Sequence, residues 1–171
     1  CSLVESIKRG KIFSTGKAET FADGIKVMRP SLAMLKLLKP VLDKTFIADD
    51  EAIAGAVLLL MEKARVVAEG AAGLPLAVLQ AERSRWAKKK VVLVITGGNI
   101  DVNVVSRIIN RGLILGGRRV RLNVFIKDRP GSLNKLTGII AAMGGNVIQA
   151  IHDRDAPSTG LNETSVEFTI E

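Results

Sequence analysis

Val91-Val92-Leu93-Val94-Ile95-Thr96-Gly97-Gly98-Asn99 decides how this chain is read. Five consecutive β-branched or aliphatic residues behind the basic run Lys88 to Lys90 have the pattern of a strand buried on both faces, which belongs to an α/β sheet. Thr96 to Asn99 is a tight glycine turn. Val102, Val105, Ile108, Ile109 and Leu113 then return at helical spacing up to Gly112 or Gly116-Gly117, so the stretch predicts strand, turn and helix. In open α/β sheets this junction is where ligands bind, with helix N-terminal amides available to an anion or polar ring. A strand-to-helix turn also needs glycine for steric reasons alone, so both readings stand at this point.

Upstream, residues 1–30 carry Gly10, Gly16, Gly24 and Pro30 and predict a short helix followed by loop. Leu32, Leu35, Leu38, Val41 and Leu42 predict a helix ending near Asp43, interrupted at Pro40. Thr45 to Ala48 is short and apolar enough for a buried strand. Asp49, Asp50 and Glu51 favour a helix N-terminus, and Ala52 to Val67 reads as a helix enclosed by other structure. A further helix is expected over 72–85, after the small-residue turn Glu69 to Gly73.

Downstream the period changes. Val120, Leu122, Val124 and Ile126 alternate with Arg119, Arg121, Asn123 and Phe125, the mark of a half-buried strand. Asp128-Arg129-Pro130-Gly131 is turn chemistry and Ser132 a cap. Leu133, Leu136, Ile139, Ile140 and Met143 form a helical stripe that Gly144-Gly145 stops. Val147 to Ile151 and Thr164 to Ile170 read as two more strands around a loop at 154–162. The order β-α-β-β is the first part of a ferredoxin-like βαββαβ unit. Its uncovered sheet face and edge lead us to expect association or truncation. Two domains follow, 1–116 and 117–171.

Composition narrows the function classes. With 47% hydrophobic residues in 171, the chain is long and apolar enough for a packed core. The apolar run Ala52 to Met61 is about half of the roughly 20 residues a bilayer span needs, and no signal segment opens the chain. No membrane role and a cytoplasmic location are expected. One cysteine, Cys1, and one histidine, His152, argue against disulfides and a zinc site. The net charge of +8 gathers at Arg83 to Lys90 and Arg118 to Arg121. These are read as a solvated helix end and loop, without aromatics in a stacking arrangement, so nucleic-acid binding is not expected.

Several stretches together carry a resemblance. Phe21-Ala22-Asp23-Gly24-Ile25-Lys26-Val27 with Arg29-Pro30, Val67-Ala68-Glu69-Gly70-Ala71, and Thr96-Gly97-Gly98-Asn99-Ile100-Asp101 with Ser106-Arg107 resemble the C-terminal part of threonine dehydratases, pyridoxal-phosphate enzymes of fold type II. Arg119 to Leu122, Asp128 to Leu133 and Gly145-Asn146-Val147 resemble the ACT regulatory domain often appended to them. The resemblance implies an α/β catalytic part with pyridoxal 5'-phosphate as electron sink. It implies a lyase removing water and then ammonia from L-threonine to give 2-oxobutanoate, with L-serine as second substrate. Isoleucine biosynthesis, allosteric control and a homo-oligomer follow from the same likeness.

It also implies roles by position. Thr96 stands where the family has serine in a Ser-Gly-Gly-Asn turn whose hydroxyl meets the pyridine nitrogen; a neutral hydroxyl suits an unprotonated nitrogen. Gly97 belongs to that turn. Gly24 resembles a glycine passing close to the ring, or is an ordinary turn glycine. Glu69 resembles a glutamate facing the cofactor, or only caps the helix behind it. In the tail the effector-binding expectation falls on Arg129, Pro130, Gly131, Ser132, Leu133 and Asn146, with a plain turn as the alternative. His152 is read as a surface histidine or a pH-sensitive neighbour of that site. No catalytic residue is expected in this chain. The family's Schiff-base lysine lies in Ser-x-Lys-x-Arg-Gly, and Ser6-Ile7-Lys8-Arg9-Gly10 lacks that spacing. The chain is therefore expected to be a piece of the enzyme, inactive alone and in need of the remaining catalytic part. The alternative is a regulatory protein that binds an amino acid without catalysis.

Overall fold

A computed structural model describes all residues, 1–171, and divides into two units, Cys1–Ile109 and Asn110–Glu171. It is a mixed α/β chain.

The first unit is helical. α1 (Ser2–Arg9) ends at Gly10, whose φ of 65° supplies the left-handed cap. α2 (Leu32–Leu38) begins at Ser31, whose side chain accepts the Met34 N–H, and stops short of the expected Asp43; Lys39 still has helical dihedrals, but Pro40 has no N–H with which to continue the ladder. α3 (Asp50–Leu59) is capped by Asp49, whose carboxylate accepts the Ala52 N–H at 2.7 Å. The helix expected to continue to Val67 instead widens into a π turn, Leu60–Ala64, and ends where Arg65 adopts φ 59°. α4 (Gly70–Ala81) starts two residues earlier than expected, taking Gly70 to Gly73 into its first turn, and is followed by a 3-10 turn, Arg83–Trp86. α3 and α4 pack closely. A Cβ on Gly73 would lie 2.7 Å from Val57 Cγ2, so glycine is what permits the approach. Ala22, Ile53, Ala56, Val57, Ala77 and Ile108 form the buried core.

Two expected strands are not formed. Residues 91–95 form no ladder, with Val92 88% and Val94 66% exposed, and neither do residues 45–48. The physical reason is the same for both. A strand is defined by the neighbour that takes its N–H and C=O groups, and this unit contains no strand to pair with. Trp86 lies inside the basic run, and the fold sets Phe46 beside it, ring centroids 6.0 Å apart and tilted by 57° rather than stacked.

α5 (Val102–Leu115) leads into the second unit, where β1 (Val120–Lys127), α6 (Ser132–Ala142), β2 (Val147–Asp153) and β3 (Glu163–Ile170) appear in the expected order. The sheet is antiparallel, ordered β1-β3-β2, with Leu122 opposite Phe168 and Val124 opposite Val166. α6 covers one face, Ile140 closing over buried Val166 and Phe168 with Leu133 and Leu136 at the margin. Gly131 at φ 85° turns the chain into α6. No helix is long and apolar enough to cross a membrane.

Candidate functional site

Three separate stretches converge in the first unit. The loop at 20–25 is held to the start of α3 by Thr20, which donates to Asp50 Oδ1, and it closes as a 3-10 turn over Asp23–Ile25. Glu69 is the residue before α4, and its N–H donates to the Gly97 carbonyl at 3.1 Å. The turn after Thr96 thereby lies against the head of α4. Gly98 crosses Val67 closely enough that a Cβ there would stand 2.8 Å from the Val67 carbonyl oxygen.

Glu69 links the parts. Its side chain makes no capping bond to its own helix and has no ion pair. Instead its carboxylate lies against bare backbone: a Cβ on Gly97 would meet Cδ and both oxygens at 2.7–2.9 Å, and a Cβ on Gly24 would stand 3.3 Å from Oε1. Both readings of Glu69 stand: it is the N-cap residue of α4, where its charge meets the positive end of the helix dipole, and its carboxylate faces the backbone at Gly24 and Gly97. Beside it opens a cleft of about 70 Å³ lined by Phe21, Asp23, Gly24, Glu69, Asn99 and Asp101. Asp101 also caps α5, accepting the Asn103 N–H at 2.7 Å. Thr96 precedes the turn and is exposed. Of the four residues expected at a cofactor, Gly24 and Gly97 therefore each lie against Glu69, and Thr96 adjoins Gly97 in sequence. What meets here is two backbone positions without side chains and a half-buried carboxylate, with an exposed threonine hydroxyl next in sequence; Thr96 and Gly97 do not line the cleft itself. Asp23, Asn99 and Asp101 were not foreseen as lining residues, although all three sit inside motifs already quoted.

The second unit holds a cavity of about 370 Å³ at the β1-to-α6 loop. Arg129, Pro130, Gly131, Ser132 and Leu133 all line it. His152, which one of its two readings set beside this site, and Arg154, which was not foreseen, complete it from the end of β2. The register accounts for this, because Lys127 pairs with Glu163 and Asp153 with Ser165, bringing the ends of β1 and β2 to one edge. Asn146 is at the other end. It precedes Val147, which pairs with Ile170, and its side chain donates to Glu171 Oε1. This cavity therefore does not include it. Two ion pairs frame the rim, Arg154 to Asp128 at 3.2 Å and Lys127 to Glu163 at 3.0 Å. The Lys127 hydrogen bond and charge hold the Glu163 carboxyl below its ordinary value.

Residues 2–97 match the family described as pyridoxal-phosphate dependent enzyme, and residues 120–170 match the ACT domain. The chain is 40% identical over 170 residues to an L-threonine ammonia-lyase of Thermotoga maritima, covering 99% of this chain and 42% of that protein. An L-threonine ammonia-lyase of Geobacter sulfurreducens is 35% identical over 166 residues, 97% of this chain and 41% of the relative. The chain thus spans less than half the length of these relatives. The crystal structure of a T.th. threonine deaminase superposes with a TM-score of 0.55 at 26% identity, over 58% of this chain and 36% of that one.

Proposed function

We propose, for a chain that belongs to the pyridoxal-phosphate dependent enzymes and carries an ACT domain behind that segment, that it is the part of a threonine ammonia-lyase that closes one edge of the cofactor ring. The observation that carries this reading is the convergence of Gly24, Glu69 and Gly97, brought from three stretches to one carboxylate. When bound, pyridoxal phosphate supplies an electron sink for loss of the substrate's α-proton. The residues here would serve it from one edge. Thr96 would offer a neutral hydroxyl to the ring nitrogen, Gly24 would let the ring pass close to the backbone, and Glu69, seated against Gly97, would place a negative charge beside it. The substrate is L-threonine, with L-serine second, and the products are 2-oxobutanoate and ammonia.

The cavity at Arg129 to Leu133 is proposed as the site of an amino-acid effector. Arg129, which has no ion pair, suits the effector's carboxylate. Asn146 would contribute only from another copy of the chain in a homo-oligomer, since within one copy it lies at the far end of the sheet.

A chimaera tests this function: the matched segment of the Thermotoga maritima enzyme is replaced by this chain and assayed for threonine-dependent release of 2-oxobutanoate. Turnover is expected, with a marked loss in Glu69→Gln. A folded, cofactor-loaded chimaera without turnover contradicts the reading.

A further inference from the structure

The loop that carries Gly24 is a single 3-10 turn, Asp23–Ile25, closed by the Ile25 N–H on the Ala22 carbonyl at 3.1 Å. So short a turn does not fix where the glycine stands; its neighbours do. On one side the loop is seated on the head of α4 by contact alone. Ala22 is fully buried, and a Cβ on Gly70 would come within 2.8 Å of Ala22 Cα and of Phe21 Cε2. A Cβ on Gly24 would come within 2.9 Å of the Ala71 Cβ. Such packing sets a closest approach but has no direction. Hydrogen bonds supply the direction, and they come from α3.

Two adjacent acids open α3 and act differently. Asp49 is the cap and accepts the Ala52 N–H at 2.7 Å. Asp50 gives both carboxylate oxygens to the loop: Oδ1 accepts the Thr20 hydroxyl and Oδ2 the Phe21 N–H at 3.3 Å. The Thr20 hydroxyl has one proton, which goes to Asp50, and its oxygen accepts the Ala22 N–H at 3.1 Å. A chain of hydrogen bonds thus runs from the first turn of α3 through Thr20 to Ala22, two residues before Gly24. Valine at position 20 would keep the shape and lose both bonds of the hydroxyl, whereas serine would keep them.

We propose that Asp50 and Thr20 are positioning residues of the cofactor face: their link holds the loop down on α4 so that Gly24 stays against the Glu69 carboxylate. Neither touches cofactor or substrate in this role, which rests on the reading of Gly24 and Glu69 as one edge of a cofactor site.

Thr20→Val and Asp50→Ala break the link, Thr20→Ser keeps it, and Asp49→Ala removes the α3 cap without touching the loop, as a control for lost stability. In the full chain, amide hydrogen exchange over residues 20–25, referred to α4, is expected to quicken about fivefold or more in Thr20→Val and Asp50→Ala, and to return near the parent rate in Thr20→Ser. In the chimaera with the Thermotoga maritima enzyme, pyridoxal phosphate titrated into the apoprotein is expected to bind about fivefold or more weakly in the first two variants. Thr20→Ser and Asp49→Ala are expected to stay within about twofold of the parent, although Asp49→Ala lowers the urea midpoint. Unchanged exchange or unchanged cofactor affinity in Thr20→Val or Asp50→Ala overturns the positioning role and leaves the reading of Gly24 and Glu69 standing. So does a loss of affinity in Asp49→Ala equal to that in Thr20→Val. A parent chimaera that binds no pyridoxal phosphate overturns both.

Discussion

Gly97 is the residue on which the cofactor-face reading turns most sharply. Its Cβ position is already occupied to within 2.7 Å by the Glu69 carboxylate, so Gly97→Ala must push Glu69 away or open the Glu69 N–H to Gly97 carbonyl bond. Overpacking of this kind costs about 1–3 kcal/mol, to be read as a shift in the urea midpoint. Gly16, where a Cβ meets nothing within 4 Å, provides the control, and Gly16→Ala is expected to leave the midpoint nearly unchanged. Glu163 tests the electrostatics at the same scale. Its carboxyl is held below the ordinary value of 4.5, mainly by the hydrogen bond and charge of Lys127. A depressed folded pKa stabilises the chain above the unfolded pKa, and that stabilisation is lost as pH falls through the folded one. The group is exposed and the contribution correspondingly slight. A carboxylate NMR titration is expected to place Glu163 below 4.5 in the parent and to move it upward in Lys127→Met.

Among the elements, α6 and the sheet it covers hold the second unit. Phe168 is fully buried between Leu122 and Ala150 on the flanking strands, so Phe168→Ala is expected to cost about 3–5 kcal/mol in chemical denaturation. Arg119 ties the tail of α5 to this sheet, donating to Asn110 Oδ1 at 2.7 Å and to Glu171 Oε2 at 3.5 Å. Arg119→Met removes both bonds and is expected to cost about 1–3 kcal/mol.

The same elements show what a sequence reveals. Alternation in β1 and β3 and the stripe in α6 were legible because each face of these elements meets water or core within the unit. Val91 to Ile95 was not, since its composition describes a buried strand while burial depends on neighbours that this unit does not contain. Positions 24, 69 and 97 were singled out only through the resemblance, because a glycine in a turn and an acid before a helix are equally ordinary; that they approach one another is set by tertiary packing. The positions of His152 and Arg154 follow from strand register, which periodicity alone does not set.

At the scale of the whole molecule, each unit has its own candidate site with its own chemistry: a glycine-built acidic cleft in the first and a basic-rimmed cavity in the second. Each is lined by residues of its own unit. What joins them functionally is the proposed enzyme, in which the Thr96 hydroxyl serves the ring nitrogen. The decisive measurement is the pH-dependent absorbance of bound cofactor, with kcat, in the chimaera carrying Thr96→Ser and Thr96→Asp. The hydroxyl account predicts that serine preserves both, whereas aspartate, which favours a protonated nitrogen, shifts the absorbance profile and lowers kcat about tenfold or more, the equivalent of about 1.4 kcal/mol. Identical spectra and turnover in parent, serine and aspartate forms would contradict it.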